Sequence, residues 1–358
     1  NDLQTNNLPE PTIKNGKEHF EAIIWDGNDV DDRAITTTEE FAPDLVWIKC
    51  RDSAINHFIY DTVRGAPNRL FPNLTNAEDA GAGHLKSFTS NGFTLGTSGN
   101  VNGTGNEYVA WCWKAGGTAV SNTDGTITSS VSANTTAGFS IIGYAGSGTS
   151  GDTVGHGLSS TPELVIVKNR SAAENWQVKH PDLNANQNLE LSSTSGVDTA
   201  PGSGFISSIG SSTITLSAGA SNQNNVNASG NNYIIYAWHS VEGFSKFGSY
   251  TGNGSTDGPF IALSFRPAFL LVKRTTGTTG NWVMFDTARS PNNPVNEYLT
   301  ANDAQAEFGA SNAFDIVSNG FKLRGDWGSA NTSSAPYVYM AFAENPFGGE
   351  NAPPATAR

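Results

Sequence analysis

Pro43-Asp44-Leu45-Val46-Trp47-Ile48-Lys49 recurs as Pro162-Glu163-Leu164-Val165-Ile166-Val167-Lys168, and again as Pro267-Ala268-Phe269-Leu270-Leu271-Val272-Lys273. Pro43 to Pro162 and Lys49 to Lys168 are both 119 positions apart, and both steps to the third copy are 105. Working outward, more blocks repeat in the same order. Upstream lie Phe20-Glu21-Ala22-Ile23, Phe139-Ser140-Ile141-Ile142 and Phe244-Ser245-Lys246-Phe247. Downstream lie Asn56-His57-Phe58-Ile59, Asn175-Trp176-Gln177-Val178 and Asn281-Trp282-Val283-Met284. Each copy closes on an aromatic run: Tyr108-Val109-Ala110-Trp111, Tyr233-Ile234-Ile235-Tyr236 and Tyr337-Val338-Tyr339-Met340. Such long periods call for one domain per copy rather than the short repeats of a solenoid.

Every block reads as a strand, an apolar run rich in Val, Ile, Phe, Tyr and Trp bounded by Gly, Asn, Asp or Pro. The proline heads its strand, where a missing N–H does no harm. Asn91-Gly92 and Asn319-Gly320 supply tight turns before Phe93 and Phe321. The middle copy has Ser212-Thr213-Ile214 at that place. The reading is all-β: three tandem antiparallel β-sandwich-like domains of one repeated family, with a small barrel or jelly roll as alternatives. The expected boundaries are 1–19 linker, 20–117 repeat 1, 118–138 linker or edge strand, 139–243 repeat 2, 244–347 repeat 3 and 348–358 flexible tail. Gly125-Thr126-Ile127-Thr128 is the candidate edge strand. The short junction at Glu242-Gly243-Phe244 predicts a stiff rod of domains.

The formal net charge of −13 makes phosphate backbones and anionic lipid surfaces poor partners, so neither nucleic-acid binding nor membrane insertion is expected. Cys50 and Cys112 are the two cysteines, and their counterparts in the other copies are Asn169, Arg274, Ala237 and Ala341. Buried free thiols are the favoured reading.

No nucleophile elbow, P-loop or zincin motif occurs, and no cofactor is implied. The six histidines do not recur at equivalent positions. His57 aligns with Trp176 and Trp282 and His180 with Asp61 and Asp286, which points to packing and polar contacts rather than catalysis. The chain therefore reads as non-enzymatic, with a polysaccharide depolymerase the least favoured class. Asp26, Asp29, Asp31 and Asp32 crowd the loop after the first strand and form a calcium candidate, against the more ordinary solvated acidic loop. Asp326-Trp327 is a ligand candidate, a ring beside polar groups on which a sugar could stack. Ordinary packing under a long loop is favoured there. The other tryptophans fall in strands and read as core.

Three stretches carry a resemblance over nearly the whole chain: Phe41-Ala42-Pro43 through Lys49, Tyr108 through Gly117, and Phe244 through Gly254. With Asn319 through Gly325 and Tyr339 through Phe347, they resemble a repeated domain of marine tailed-phage virion structural proteins of the cyanophage type. Leu8-Pro9-Glu10-Pro11-Thr12-Ile13-Lys14 resembles the segment that follows a lectin-like sandwich in such proteins, which implies the C-terminal part of a longer polypeptide. The resemblance implies a place on the virion surface, in a tail fibre or similar appendage used for host attachment. It implies other virion proteins as partners, a host-surface glycan or protein receptor, and a homo-oligomer. A capsid decoration or sheath protein and a lectin-like carbohydrate-binding module are the alternatives. The resemblance brings no catalytic residues.

Overall fold

The computed structural model describes residues 10–199, 205–217, 223–277 and 280–346. The 348–358 tail and the first nine residues of the expected linker lie outside that set. Repeat 1 contributes β1 (Phe20–Asp26), β2 (Arg33–Thr36), β3 (Leu45–Cys50), β4 (Phe58–Asp61), β5 (Asn68–Arg69), β6 (Asp79–Ala80), β7 (Leu85–Thr89), β8 (Gly92–Leu95) and β9 (Glu107–Trp113). Repeat 2 contributes β10 (Val120–Asn122), β11 (Ser129–Asn134), β12 (Phe139–Ala145), β13 (Thr153–Gly155), β14 (Leu164–Asn169), β15 (Gln177–Lys179) and β16 (Gln187–Glu190). It continues with β17 (Asp198–Thr199), β18 (Ile206–Ile209), β19 (Thr213–Leu216), the single-turn helix α1 (Gln223–Val226) and β20 (Asn232–Trp238). Repeat 3 contributes β21 (Ser245–Thr251), β22 (Phe260–Ala262), β23 (Phe265–Arg274), β24 (Trp282–Asp286), β25 (Val295–Thr300), β26 (Phe308–Val317), β27 (Gly320–Leu323) and β28 (Pro336–Pro346).

One antiparallel strand order appears three times. The inner sheet runs first-last-third-fourth: β1-β9-β3-β4, β12-β20-β14-β15 and β21-β28-β23-β24. Facing it are β2-β8-β7, β13-β19-β18 and β22-β27-β26. In repeat 3 the strand β25 joins both layers into one continuous sheet.

The central strands of the inner sheets are buried on both faces. In β3 every residue is buried. Val46 and Ile48 face the outer sheet and share a core with Phe93, Leu95, Ala110 and Cys112. Leu45 and Trp47 face the opposite way into a second core. That second core is common to all three repeats: it holds Phe20, Trp111 and Trp113 with Phe139, Ile166 and Trp238 and with Phe269, Leu271 and Phe342. The Trp113 ring lies 6.3 Å from Trp238, 5.9 Å from Phe269 and 5.7 Å from Phe342. A void of about 10 Å³ remains among Trp47, Trp113, Trp176 and Trp238. That is about the least space one water needs, and its lining is apolar, so the axis is packed core rather than a ligand cavity. The expected rod is thus corrected. Three apolar sheet faces would stay wet in a rod, and burying one large apolar side chain contributes about 1.5–3 kcal/mol, so the repeats close around one another.

The contacts between repeats run in one direction and close a ring. Tyr236 of repeat 2 donates to Asp61 of repeat 1 at 2.7 Å. Trp111 of repeat 1 donates to Asp286 of repeat 3 at 2.9 Å. His180 of repeat 2, at the position of those aspartates, donates Nε2–H to the Tyr339 carbonyl of repeat 3 at 3.2 Å. Three backbone bonds repeat the cycle: Glu78 N to Arg170 O, Val197 N to Thr275 O, and Glu307 N to Arg51 O. Trp176 Nε1 donates to Phe71 O and Trp282 Nε1 to Glu190 O, while His57 lies buried beside Thr300 and Asp303. Equivalent groups therefore meet equivalent partners under a rotation about a single pseudo-threefold axis.

Two further expectations change. Residues 13–19 are not linker: Ile13 enters the shared core, and the 3-10 turn Gly16–Glu18 packs on β28. In the segment 118–138 the edge strand is β10, paired to β11, which lies on β12, while Ile127 makes only an isolated parallel bridge to Val154. Cys50 and Cys112 are free and buried.

Candidate functional site

Each repeat ends its first strand in a loop that is clamped to the loop before its last strand. The clamp begins at Gly27, Gly146 and Gly252, whose N–H groups donate to the carbonyls of Asn106, Asn231 and Ala335. A Cβ at these glycines would sit 1.9, 2.2 and 2.4 Å from the carbonyl oxygens of Gly103, Ala228 and Thr332, so backbone touches backbone there and only glycine fits.

A fully buried asparagine holds the two loops together. Asn102 accepts from Asn28 N and donates to Val30 O and Gly96 O. Asn227 accepts from Ser147 N and donates to Thr149 O. Asn331 accepts from Asn253 N and donates to Ser255 O and Gly325 O. Six residues on, a tyrosine hydroxyl accepts from the next backbone N–H: Gly103 to Tyr108, Ala228 to Tyr233 and Thr332 to Tyr337, each at 2.8 Å. The same hydroxyls donate to Gly99 O, Asn224 O and Gly328 O. Trp25, Tyr144 and Tyr250 stack on those tyrosines at 5.6, 5.1 and 5.0 Å. Buried amides and hydroxyls with filled valences fix the loops in one conformation. Rotation about one axis puts all three clamped pairs at the same end of the ring.

Both candidate sites from the sequence fall in these loops. The acidic loop belongs to repeat 1, but its aspartates do not converge. Lys86 pairs with Asp31 at 2.9 Å and with Asp32 at 2.6 Å. The Lys86 hydrogen bond holds the Asp31 carboxyl below its usual range. Asp29 accepts from Thr104 N. Arg33 donates to the backbone carbonyl of Asp26, not to its carboxylate, and to Asn102 Oδ1. Among the described residues no three His, Cys, Asp or Glu side chains are grouped to hold a metal. The loops of repeat 2 present Ser147, bonded to Asp152. Those of repeat 3 present Asp257, paired with Lys322 at 2.7 Å. Asp326 is exposed, but Trp327 is half-buried, 4.6 Å from Tyr298 and 6.3 Å from Phe285. The more exposed ring of this cluster is Phe308, stacked on Tyr298 at 5.2 Å.

The buried titratable groups serve the joints instead. Asp61 with Arg64 in repeat 1 and Asp286 with Arg289 in repeat 3 are fully buried pairs, and each aspartate accepts a hydrogen bond from the next repeat. Glu78 binds Arg64 and Arg170, while Glu307 binds Arg289 and Arg51. Burial pushes both glutamates up, but their arginine partners outweigh it and hold them below the usual carboxylate value. Lys49, Lys168 and Lys273, the repeated lysines, are buried and pushed down to about 8, 8 and 7. Lys168 donates to Thr75 O of repeat 1 and Lys273 to Ser193 O of repeat 2. His19, His84 and His180 are pushed down to about 4 by burial, so they are neutral imidazoles at pH 7.

Sequence reasoning missed the asparagines. Their signal is the spacing: Asn102 to Tyr108, Asn227 to Tyr233 and Asn331 to Tyr337 are all six apart.

A family model described as a domain of unknown function, DUF7483, matches residues 15–346, so the chain belongs to that family. That single match crosses all three repeats. No curated protein and no solved structure matches the chain.

Proposed function

We propose that this DUF7483 chain is a non-enzymatic structural module of a tailed-phage virion surface, part of a tail fibre or similar appendage, and that its clamped loops meet the host. The observation that carries the reading is the set of three loop pairs, each frozen by a buried asparagine and tyrosine on one end of a rigid ring. Loops ordered in advance lose little entropy on binding, and three of them on one face favour multivalent contact with a glycan or protein receptor. The groups that would be candidates for acid–base work are instead engaged in the joints. The phage resemblance supplies the setting, with other virion proteins as neighbours and homo-oligomers as the working form.

The test is adsorption. Purified particles are expected to contain the chain, and the free protein added in excess should compete with them for host cells. Particles that lack the chain would end the reading. Particles that contain it but adsorb unhindered would remove the host contact and leave a structural part.

The pseudo-threefold ring favours one second reading. A body of that symmetry suits a threefold position in a capsid lattice, as a decoration protein. Cryo-EM of the particle separates the two: density on the shell supports decoration, and density on a projecting appendage supports attachment.

A further inference from the structure

The three first strands are equivalent, yet their outer edges differ. In repeat 2 the outer edge of β12 is covered by β11, with Ser132 opposite Ile141 and Ser130 opposite Gly143. In repeat 3 the start of β21 is closed by its own turn: Ser245 and Val241 exchange backbone bonds, and Phe247 N donates to Ser240 Oγ. In repeat 1, β1 has β9 on one side and, among the described residues, no strand on the other.

The rungs that β1 leaves open follow from its register. Lys114 N donates to His19 O, and Gly27 N donates to Asn106 O. Odd-numbered residues therefore bond to β9, and the backbone groups of Ala22 and Ile24 point outward. These match Ile141 and Gly143 of the covered edge. Ile24 is 45% exposed, one of five large apolar side chains left exposed among the described residues. The strand carries no proline, lysine or bulge to guard a free edge, and its two charges are the buried Glu21 and the terminal Asp26. Beside it a cleft of about 230 Å³ lies between β1 and the Thr287–Ala288 turn of repeat 3.

We infer that the edge of β1 is a docking site for an extended strand donated by another polypeptide, one built like Ser129–Asn134 from small and hydroxyl side chains. The covered edge in repeat 2 identifies the occupant's chemistry. There Ser130 and Ser132 stand opposite Gly143 and Ile141, and a Cβ at Gly143 would lie 3.1 Å from the Val63 side chain of repeat 1. The residues just before β1 do not fill the role as β11 does for β12. They run away from the edge, with Ile13 in the shared core and Gly16 against Ala343 and Glu344. Main-chain hydrogen bonds would supply the affinity and the narrow cleft the selection, as in other strand additions.

The probe is a synthetic peptide with the sequence of residues 126–135, titrated against the full chain. NMR hydrogen exchange is read at single amides. In the free protein, Ala22 and Ile24 should exchange faster than Ile23 and Trp25. Saturating peptide should slow Ala22 and Ile24 by about tenfold or more and leave Ser249 unchanged. Ile24→Pro removes an outward N–H without touching the β9 ladder, so it should fold and lose the binding at least tenfold. No slowing at millimolar peptide in the wild-type chain overturns the proposal. So does concentration-dependent protection of the same amides without peptide, lost in Ile24→Pro, because the occupant would then be a second copy.

Discussion

Two joints of the ring are built from charges, and the third reaches the same geometry without them. Between repeats 1 and 2, Asp61, Arg64, Glu78 and Arg170 form a connected ionic set under Tyr236. Between repeats 3 and 1, Asp286, Arg289, Glu307 and Arg51 form the same set under Trp111, whose ring lies 5.6 Å from the Arg289 guanidinium. Between repeats 2 and 3 the corresponding positions are His180, Leu183, Val197 and Thr275. Leu183 and Val197 pack on the shared core, and the backbone bond from Val197 to Thr275 persists at 2.8 Å. The shared apolar core and the backbone cycle thus suffice to close a joint. The charges are one of two ways to fill the remaining space, in line with the general finding that buried ion pairs rarely exceed well-packed apolar groups in stability.

The largest effect should come from breaking a charged joint halfway. Arg289→Ala leaves Asp286 buried without its ionic partner, takes one of the two arginines from Glu307, and is expected to cost about 3–5 kcal/mol, read from the shift in urea midpoint. Leu183→Ala, at the same place in the neutral joint, removes a half-buried side chain and strands no charge. It should cost clearly less. Equal losses would mean that packing, not charge, governs all three joints.

Much of this was legible in the sequence, and the misreading is instructive. The strands, their order and the triplication follow from blocks such as Pro43 to Lys49. The ring did not, although its signal was in the same block. A strand of an isolated sandwich alternates apolar and polar residues, whereas Leu45-Val46-Trp47-Ile48 is apolar at every position, the mark of a strand covered on both faces. His180, Asp61 and Asp286 align in the sequence, but a contact to another repeat leaves no local pattern. For the loops, Asp29 to Asp32 and Asp326-Trp327 stood out by composition. Asn102, Asn227 and Asn331 are each one asparagine among many in Gly- and Asn-rich stretches, and only their fixed distance to a tyrosine distinguishes them.

Acid probes the neutral joint next. His180 has its folded-state pKa pushed from 6.5 down to about 4 by burial, so between those values the unfolded chain binds a proton that the folded chain does not. The contribution is complete above about pH 6.5, declines as pH falls, and is fully lost below about 4. At about 1.4 kcal/mol per unit this amounts to about 3 kcal/mol from one side chain in the neutral joint. In the charged joints Glu78 and Glu307 are held under the ordinary carboxylate range, but His57, buried between repeats 1 and 3, is pushed well below 6.5 by burial and makes that joint lose stability in acid as well. His19 and His84 titrate in the same window as His180, so the discriminating measurement is a difference. The drop in urea midpoint from pH 7 to pH 5 should be smaller in His180→Gln than in the wild type. An unchanged drop would show that the neutral joint does not sense acid.

The smallest expected effect is the sharpest test of the comparison. The neutral joint can be written into the place of a charged one by Asp286→His, Arg289→Leu, Glu307→Val and Arg51→Thr. Trp111 must become Met as well, the residue at position 340 in the neutral joint, because its indole N–H would otherwise lose Asp286 as its acceptor. The new histidine can then donate to the Ala110 carbonyl, the counterpart of Tyr339 O. The five-fold variant strands no buried charge, since Glu107 and Glu297, which lose Arg51, are solvent-exposed, so it should stay within about 2 kcal/mol of the parent and above Arg289→Ala alone. A variant as unstable as Arg289→Ala would mean that the charges set the angle between repeats 3 and 1. The neutral joint would then depend on its two charged neighbours to hold the ring closed.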